Sequence, residues 1–105
     1  MAMIEPLPQP SGALTIGALE VDPGGYRVWL AGRSLAVSRS QVELLTILLA
    51  NRSRVVSRTE LAQALGLARP RSVDVLLSGL RNEIGRPFVR NVRNRGWIVE
   101  PDALT

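Results

Sequence analysis

Apolar residues near the start of the chain occur in short runs that are bounded by turn sequences. These runs are rich in aliphatic and β-branched residues and read LTIGALEV, YRVWL and SLAV. The segments between them, DPGG at 22–25 and AGR at 31–33, both favour turns. The pattern predicts a small antiparallel sheet that begins at Leu14.

From Ser38 onward the apolar residues recur at the period of an α-helix. Ser38 and Gln41 have the spacing of a capping box, in which each side chain accepts a hydrogen bond from the other residue's backbone NH group at the start of a helix. The apolar positions that follow at helical spacing are Val42, Leu45, Leu48 and Leu49. A first helix is therefore predicted from about 39 to 51.

Two further helices are predicted in the second half of the chain. A capping box at Ser57 and Glu60 begins a short helix that Gly66 ends, and a longer helix follows from about 71 to 84, with Gly85 after it. One stripe of the longer helix is apolar and is expected to face the core: Val73, Leu77, Leu80 and Ile84. The opposite, mostly polar face is predicted to carry Arg71, Asp74, Val75, Ser78, Gly79, Arg81 and Asn82.

The last apolar runs predict a β-hairpin that pairs 88–92 with 97–100 across the turn Arg93-Asn94-Arg95-Gly96. Residues 1–13 contain three prolines and a Ser-Gly pair, which indicates a flexible tail or a linker remnant. The predicted organisation is one α+β domain over 14–101, with a short carboxy-terminal tail at 102–105. Its order is sheet, three helices and hairpin, the layout of a winged helix-turn-helix.

Positive charge is concentrated in one part of this layout. Residues 51–96 hold ten arginines against three carboxylates, whereas residues 1–50 hold three arginines against four carboxylates. Every basic side chain is arginine, whose planar fork suits bidentate contact with phosphate or guanine, although a GC-rich genome also favours arginine. The basic half includes the third helix and the hairpin tip, so these elements are the candidate contact for an anion.

Composition also narrows the classes of function. The 105 residues include no cysteine and no histidine, so the usual zinc sites and Ser/Cys-His nucleophile pairs cannot be built within the chain. We expect no enzyme, no metal and no cofactor. No apolar stretch approaches the ~20 residues that a membrane span needs, and the amino terminus does not resemble a secretory signal, so a cytoplasmic protein is expected.

Geometry gives the third helix and the hairpin different roles on a duplex. An α-helix fits the major groove, while a thin hairpin with arginine at its tip fits the minor groove or the adjacent backbone. Arg58, in the first turn of the second helix, is a candidate phosphate contact because the helix start also presents free NH groups. The layout therefore predicts a DNA-binding domain.

Three sequence blocks then resemble the OmpR/PhoB-type DNA-binding domain, which lies at the carboxy end of many bacterial response regulators. The first block spans 14–66, the second is RSVDVLLSGLRNEIG and the third is VRNVRNRGWIVE. The resemblance covers Leu14 to about Glu100. It implies sequence-specific binding of double-stranded DNA by the effector domain of a transcriptional regulator in a two-component system. It also implies tandem or dimeric binding on DNA, contact with RNA polymerase, and a preceding receiver domain in related proteins.

The resemblance assigns roles to individual positions. It places Arg81 where family members commonly contact phosphate and Arg93 where a wing arginine reaches the minor groove. Gly96 and Trp97 match the glycine and aromatic residue that follow the wing, although a strand tryptophan is more often a core residue. Together with the reasoning from charge, the predicted DNA-binding residues are Arg58, Arg71, Val75, Ser78, Arg81, Asn82, Arg93 and Arg95.

Ser78-Gly79 and Asn82-Glu83 depart from the family, which often has basic residues there. Two outcomes stay open. In the first, Gly79 lets the helix approach the groove closely, so that Val75 touches a thymine methyl and Arg71, Ser78 or Asn82 reaches base edges. In the second, binding depends on phosphate contacts and DNA shape.

The short link at 66–70 weakens the expectation of polymerase contact. A winged-helix protein-interaction module with weak DNA binding is the alternative function. Asp74 is expected to have a structural role, in which it pairs with a neighbour such as Arg71 or a wing arginine and holds its orientation.

Overall fold

A four-stranded antiparallel sheet forms the amino-terminal part of the computed structural model, which describes residues 14–104. Its strands are β1 (Leu14–Ile16), β2 (Leu19–Asp22), β3 (Arg27–Leu30) and β4 (Arg33–Ser34), hydrogen-bonded in that order. Opposite residues in β2 and β3 pair as Leu19 with Leu30 and Val21 with Val28, and all four side chains are buried. The tail predicted at 1–13 lies outside the described residues.

The sheet differs from the prediction at both of its ends. The run LTIGALEV forms two strands, because Gly17 adopts a left-handed backbone (φ 57°) and reverses the chain between them. The run SLAV contributes only Ser34 to a strand. Leu35 lies after β4, where its NH group still donates to the Val28 carbonyl of β3 (2.9 Å) and its side chain is buried in the core.

The three helices are confirmed as α1 (Arg39–Ala50), α2 (Arg58–Leu65) and α3 (Arg71–Ile84). Both capping boxes form, at Ser38 and at Ser57, and a left-handed glycine follows both α2 and α3. The apolar stripe of α3 is buried as predicted: Val73, Leu77, Leu80 and Ile84. The outward face of α3 is thereby set by the core.

The carboxy-terminal hairpin pairs β5 (Val89–Val92) with β6 (Gly96–Val99). Gly96 lies opposite Val92, so the loop is three residues long, Arg93-Asn94-Arg95, and Asn94 is left-handed (φ 62°). A 3₁₀ helix follows (Pro101–Leu104), and Leu104 is 0% exposed. The prediction of a tail from 102 onward is therefore wrong for 102–104: the Leu104 side chain joins the core, and its carbonyl accepts a hydrogen bond from the Ala18 NH group.

One hydrophobic cluster joins the first sheet, the three helices, the hairpin and the 3₁₀ helix. It includes Val21 from the sheet, Leu45 from α1, Leu61 from α2, Leu77 from α3 and Trp97 from β6. Because α3 and the hairpin share this core, their outer surfaces have a fixed relation to each other. The core reading of Trp97 is confirmed by its 5% exposure.

Candidate nucleic-acid interface

The outward face of α3 presents side chains that can contact a ligand. Five predicted residues on this face are exposed: Arg71, Val75, Ser78, Arg81 and Asn82. Val75 is 73% exposed, so its methyl groups are accessible to a ligand. The face therefore combines cationic, polar and apolar groups along a single helix.

The wing, defined here as the loop 93–95 with β5 and β6, presents Arg93 and Arg95 at its tip, both exposed. Within residues 14–104, neither side chain nor that of Arg71 forms an ion pair or a hydrogen bond. Their guanidinium groups are thus available to an external anion.

The base of the wing is fastened to the segment that leads into α2. The Val56 NH group donates to the Trp97 carbonyl (2.8 Å) and the Trp97 NH group donates to the Val56 carbonyl (2.9 Å). Gly96 has φ 141°, and a Cβ atom at this position would overlap the Val56 carbonyl oxygen. The wing lies so close to the segment before α2 that residue 96 has to be glycine.

Helix α3 and the wing converge on one side of the molecule. An open cleft of about 540 Å³ is lined by 57–59 and 91–97, and an adjoining cleft of about 250 Å³ reaches α3 at Asp74, Ser78 and Arg81. Arg58 and Trp97 line both clefts. The predicted residues that border these adjoining clefts are Arg58, Ser78, Arg81, Arg93 and Arg95. Arg71 and Val75 line neither cleft, and Asn82 lines a separate cleft beside Arg81.

Arg58 is held where the two adjoining clefts meet. Its Nε atom lies 2.9 Å from Asp74 Oδ1 and its Nη2 atom lies 3.2 Å from Asp74 Oδ2, while its Cζ atom lies 5.3 Å from the centroid of the Trp97 ring. The prediction that Asp74 pairs with a neighbouring arginine is confirmed, but the suggested partners, Arg71 or a wing arginine, are wrong. Arg58 approaches Asp74 from the neighbouring helix, where its bidentate fork can meet both carboxylate oxygens.

Several other arginines of the basic half bind groups within the fold, among them Arg81 and Arg90. Arg81 Nη2 donates to the Val89 carbonyl (3.3 Å), which ties α3 to β5 and leaves the exposed side chain beside the second cleft. Arg90 pairs with Glu100 across the hairpin at 2.7 Å. Charge counting along the sequence could not distinguish such engaged arginines from those at the wing tip.

Gly79 faces α1 and does not lie on the outward face, so that part of the prediction is wrong. A Cβ atom at Gly79 would overlap Gln41 Nε2. The Gln41 side chain accepts from the Ser38 NH group in the capping box of α1 (2.8 Å) and donates to the Leu76 carbonyl of α3 (3.5 Å). Gly79 makes room for this link between helices, and it does not explain a close approach to a groove.

The start of α2 is stabilised by a charged group. Hydrogen bonds from the Arg54 guanidinium and then from the Ser57 backbone lower the pKa of Glu60 from 4.5 to about 2. Arg54 binds Glu60 with both of its Nη atoms, at 3.2 and 3.0 Å, and its own pKa is raised by that pairing. The Arg54–Glu60 ion pair thus adds to the Ser57–Glu60 capping box at the start of α2, two residues from Arg58.

The described part of the chain has neither a cluster of metal-binding side chains nor a membrane-spanning helix. Within 14–104, no three His, Cys, Asp or Glu residues lie close enough together to hold a metal ion. No helix in the same range has the length and apolar character needed to cross a membrane.

The sequence is similar to those of bacterial transcriptional regulators. Residues 32–99 match the family model described as "Transcriptional regulatory protein, C terminal". The chain is 32% identical over 94 residues to the response regulator protein PmrA of Pseudomonas aeruginosa, a match that covers 86% of this chain and 42% of PmrA. The chain thus corresponds to less than half of that relative.

Solved structures give the same result for the fold. The RstA DNA-binding domain of Klebsiella pneumoniae, solved in complex with the RstA box, has a TM-score of 0.74 and 28% identity, covering 85% of this chain and 97% of that chain. The DNA-binding domain of CpxR from Escherichia coli has a TM-score of 0.76 and 28% identity, covering 87% and 96%. The chain therefore belongs to the family of transcriptional regulatory protein C-terminal domains, the OmpR/PhoB-type winged-helix domains of response regulators.

Proposed function

We propose that this domain binds double-stranded DNA sequence-specifically, as the non-enzymatic effector domain of a bacterial transcriptional regulator. The observation that carries the proposal is the convergence of the outward face of α3 and the wing arginines on one open surface. The similar RstA domain was solved with its DNA box bound, which supports the same ligand class here.

The dimensions of the two elements suit a duplex. Helix α3 has 14 residues, or about 21 Å at 1.5 Å per residue, and its exposed face fits the major groove. The three-residue loop of the wing is narrow enough for the adjacent minor groove, where arginine meets strongly negative potential. Alternatively, the same arginines bind the backbone beside it.

Within that arrangement the side chains divide into two groups. Arg81, Arg93 and Arg95 neutralise phosphates or enter the minor groove, and they supply affinity that falls with salt. Arg71, Val75, Ser78 and Asn82 lie along the outward face of α3, where hydrogen-bonding and methyl-contacting groups can read base edges. Arg58 is proposed to contact phosphate with the donors that Asp74 leaves free.

The alternative of a protein-interaction module loses part of its support. That alternative rests on the Ser78-Gly79 departure and on the short loop at 66–70, and of these residues Gly79 packs against Gln41 and does not lie on the exposed face. Tandem or dimeric binding, contact with RNA polymerase through the 66–70 link, and a cytoplasmic setting are proposed from the family membership.

Selection from random duplex DNA with the purified domain tests the proposal. We expect enrichment of a short element, repeated at a spacing near one helical turn if copies bind in tandem. The enriched duplex should bind at least about 1000-fold more tightly than a scrambled duplex at physiological salt. Equal affinity for the two duplexes would refute sequence-specific binding.

A further inference from the structure

A carboxylate lies in the middle of the proposed DNA surface. Asp74 is on the outward face of α3, three residues after Arg71 and four before Ser78, and its side chain is 47% exposed. A negative charge at this position repels phosphate and weakens DNA binding on electrostatic grounds alone. Asp74 should therefore have a favourable role that offsets this repulsion.

The contacts of Asp74 indicate what that role is. Both of its oxygens accept from Arg58, which lies on α2, and the guanidinium group of Arg58 lies over the ring of Trp97 on β6. Arg58 is therefore held by α3 from one direction and by the wing from another. Its Nη1 atom forms no hydrogen bond within residues 14–104, and the residue lines the clefts on both sides.

We infer that Asp74 is a positioning residue that gives the proposed DNA interface part of its specificity. It fixes Arg58 between α3 and the wing, so that the free donors of Arg58 meet a phosphate only when α3 is seated in one register. Without Asp74, the Arg58 side chain would be mobile and could reach a phosphate on DNA of any sequence. The inference rests on the proposed function, because it concerns discrimination between DNA sequences.

The two readings of Asp74 predict different outcomes for Asp74→Asn. If Asp74 is merely a repulsive charge, its removal strengthens binding to selected and scrambled duplexes by the same factor. If Asp74 also positions Arg58, its removal strengthens binding to the scrambled duplex more than to the selected duplex. The ratio of the two affinities then falls, by up to about fivefold for a half-exposed ion pair. Glu20→Gln is the matched control, because Glu20 is exposed on the sheet and the charge change is identical.

Arg58→Lys provides an independent test that keeps the charge. An ammonium group cannot bind both Asp74 oxygens as a planar fork while lying flat over Trp97. We expect Arg58→Lys to lower the affinity ratio as Asp74→Asn does, and the double variant to lower it no further. Melting temperatures of all variants, measured alongside, ensure that the binding data describe folded protein.

The experiment is a fluorescence titration of wild type and variants with the selected duplex and with a scrambled duplex of equal length. A wild-type protein without preference between the duplexes would overturn the proposed function itself. A wild-type preference that Asp74→Asn and Arg58→Lys leave unchanged would overturn only the role given to Asp74. A lowered ratio in both variants, with Glu20→Gln unchanged, supports that role.

Discussion

Replacement of Gly96 by alanine should show how strongly the wing depends on its attachment to the link before α2. The backbone of Gly96 has φ 141°, and the added Cβ atom would overlap the Val56 carbonyl oxygen. That oxygen belongs to backbone that is itself paired with Trp97, so it cannot move without disturbing the two hydrogen bonds between Val56 and Trp97. The substitution should therefore displace the base of the wing.

The magnitude can be worked out from these contacts. An alanine in this backbone region costs about 1–3 kcal/mol. Weakening of two backbone hydrogen bonds adds about 0.5–1.5 kcal/mol for each. Gly32→Ala is the matched control, because Gly32 also has positive φ (81°) but no atom lies within 4 Å of its added Cβ. The control should cost only about 1–2 kcal/mol.

Thermal unfolding of the two variants separates backbone strain from the overlap. The Gly96→Ala variant should be less stable than Gly32→Ala by about 2 kcal/mol, which corresponds to about 8–16 °C in melting temperature for a domain of this size. At a temperature where both remain folded, only Gly96→Ala should bind the selected duplex more weakly than wild type. Equal melting temperatures and equal DNA affinity in the two variants would refute this account of the wing.

Two further predictions concern the helices that carry the interface. In a Gln41→Ala background, Gly79→Ala should stabilise the domain by about 1 kcal/mol in urea unfolding, because alanine favours the helix over glycine. In the wild-type background the overlap with Gln41 should cancel that gain or reverse it, and an equal effect of Gly79→Ala in the two backgrounds would contradict the contact. Because Arg54 lowers the pKa of Glu60 from 4.5 to about 2, the advantage of wild type over Glu60→Gln should be complete above pH 4.5 and disappear as the pH falls toward 2. Unfolding midpoints of wild type and of Glu60→Gln at pH 7 and pH 2 measure this advantage. An equal difference between the two proteins at both pH values would count against the ion pair.

The sequence was sufficient for the features that depend on local spacing. Both capping boxes, the glycines after α2 and α3, and the buried stripe of α3 involve residues at most a few turns apart, so their pattern is visible along the chain. The reversal at Gly17 escaped prediction because LTIGALEV is almost uninterrupted by polar residues. Leu104 escaped because a single leucine after a short polar segment has no period to reveal its burial.

The details of the candidate site depend on contacts that no local pattern encodes. Arg58 and Asp74 are 16 positions apart on different helices, and Gln41 reaches a carbonyl 35 positions away. Their pairing follows from how α1, α2 and α3 pack on the shared core. Sequence reasoning could therefore identify Asp74 as an acid on a basic face, but it could not identify the arginine that binds it.

The salt dependence of DNA binding tests the central claim most directly, namely that arginines of α3 and of the wing contact one duplex together. If Arg58, Arg81, Arg93 and Arg95 each neutralise a phosphate, the logarithm of the binding constant should fall with the logarithm of salt concentration at a slope of about −3.6. Arg81→Ala should reduce the steepness of that slope by about 0.9, and the pair Arg93→Ala/Arg95→Ala by about 1.8. Arg27→Ala/Arg33→Ala, which removes two positive charges from exposed positions of the sheet, should leave the slope unchanged. Equal slopes in wild type and in either interface variant would contradict the claim.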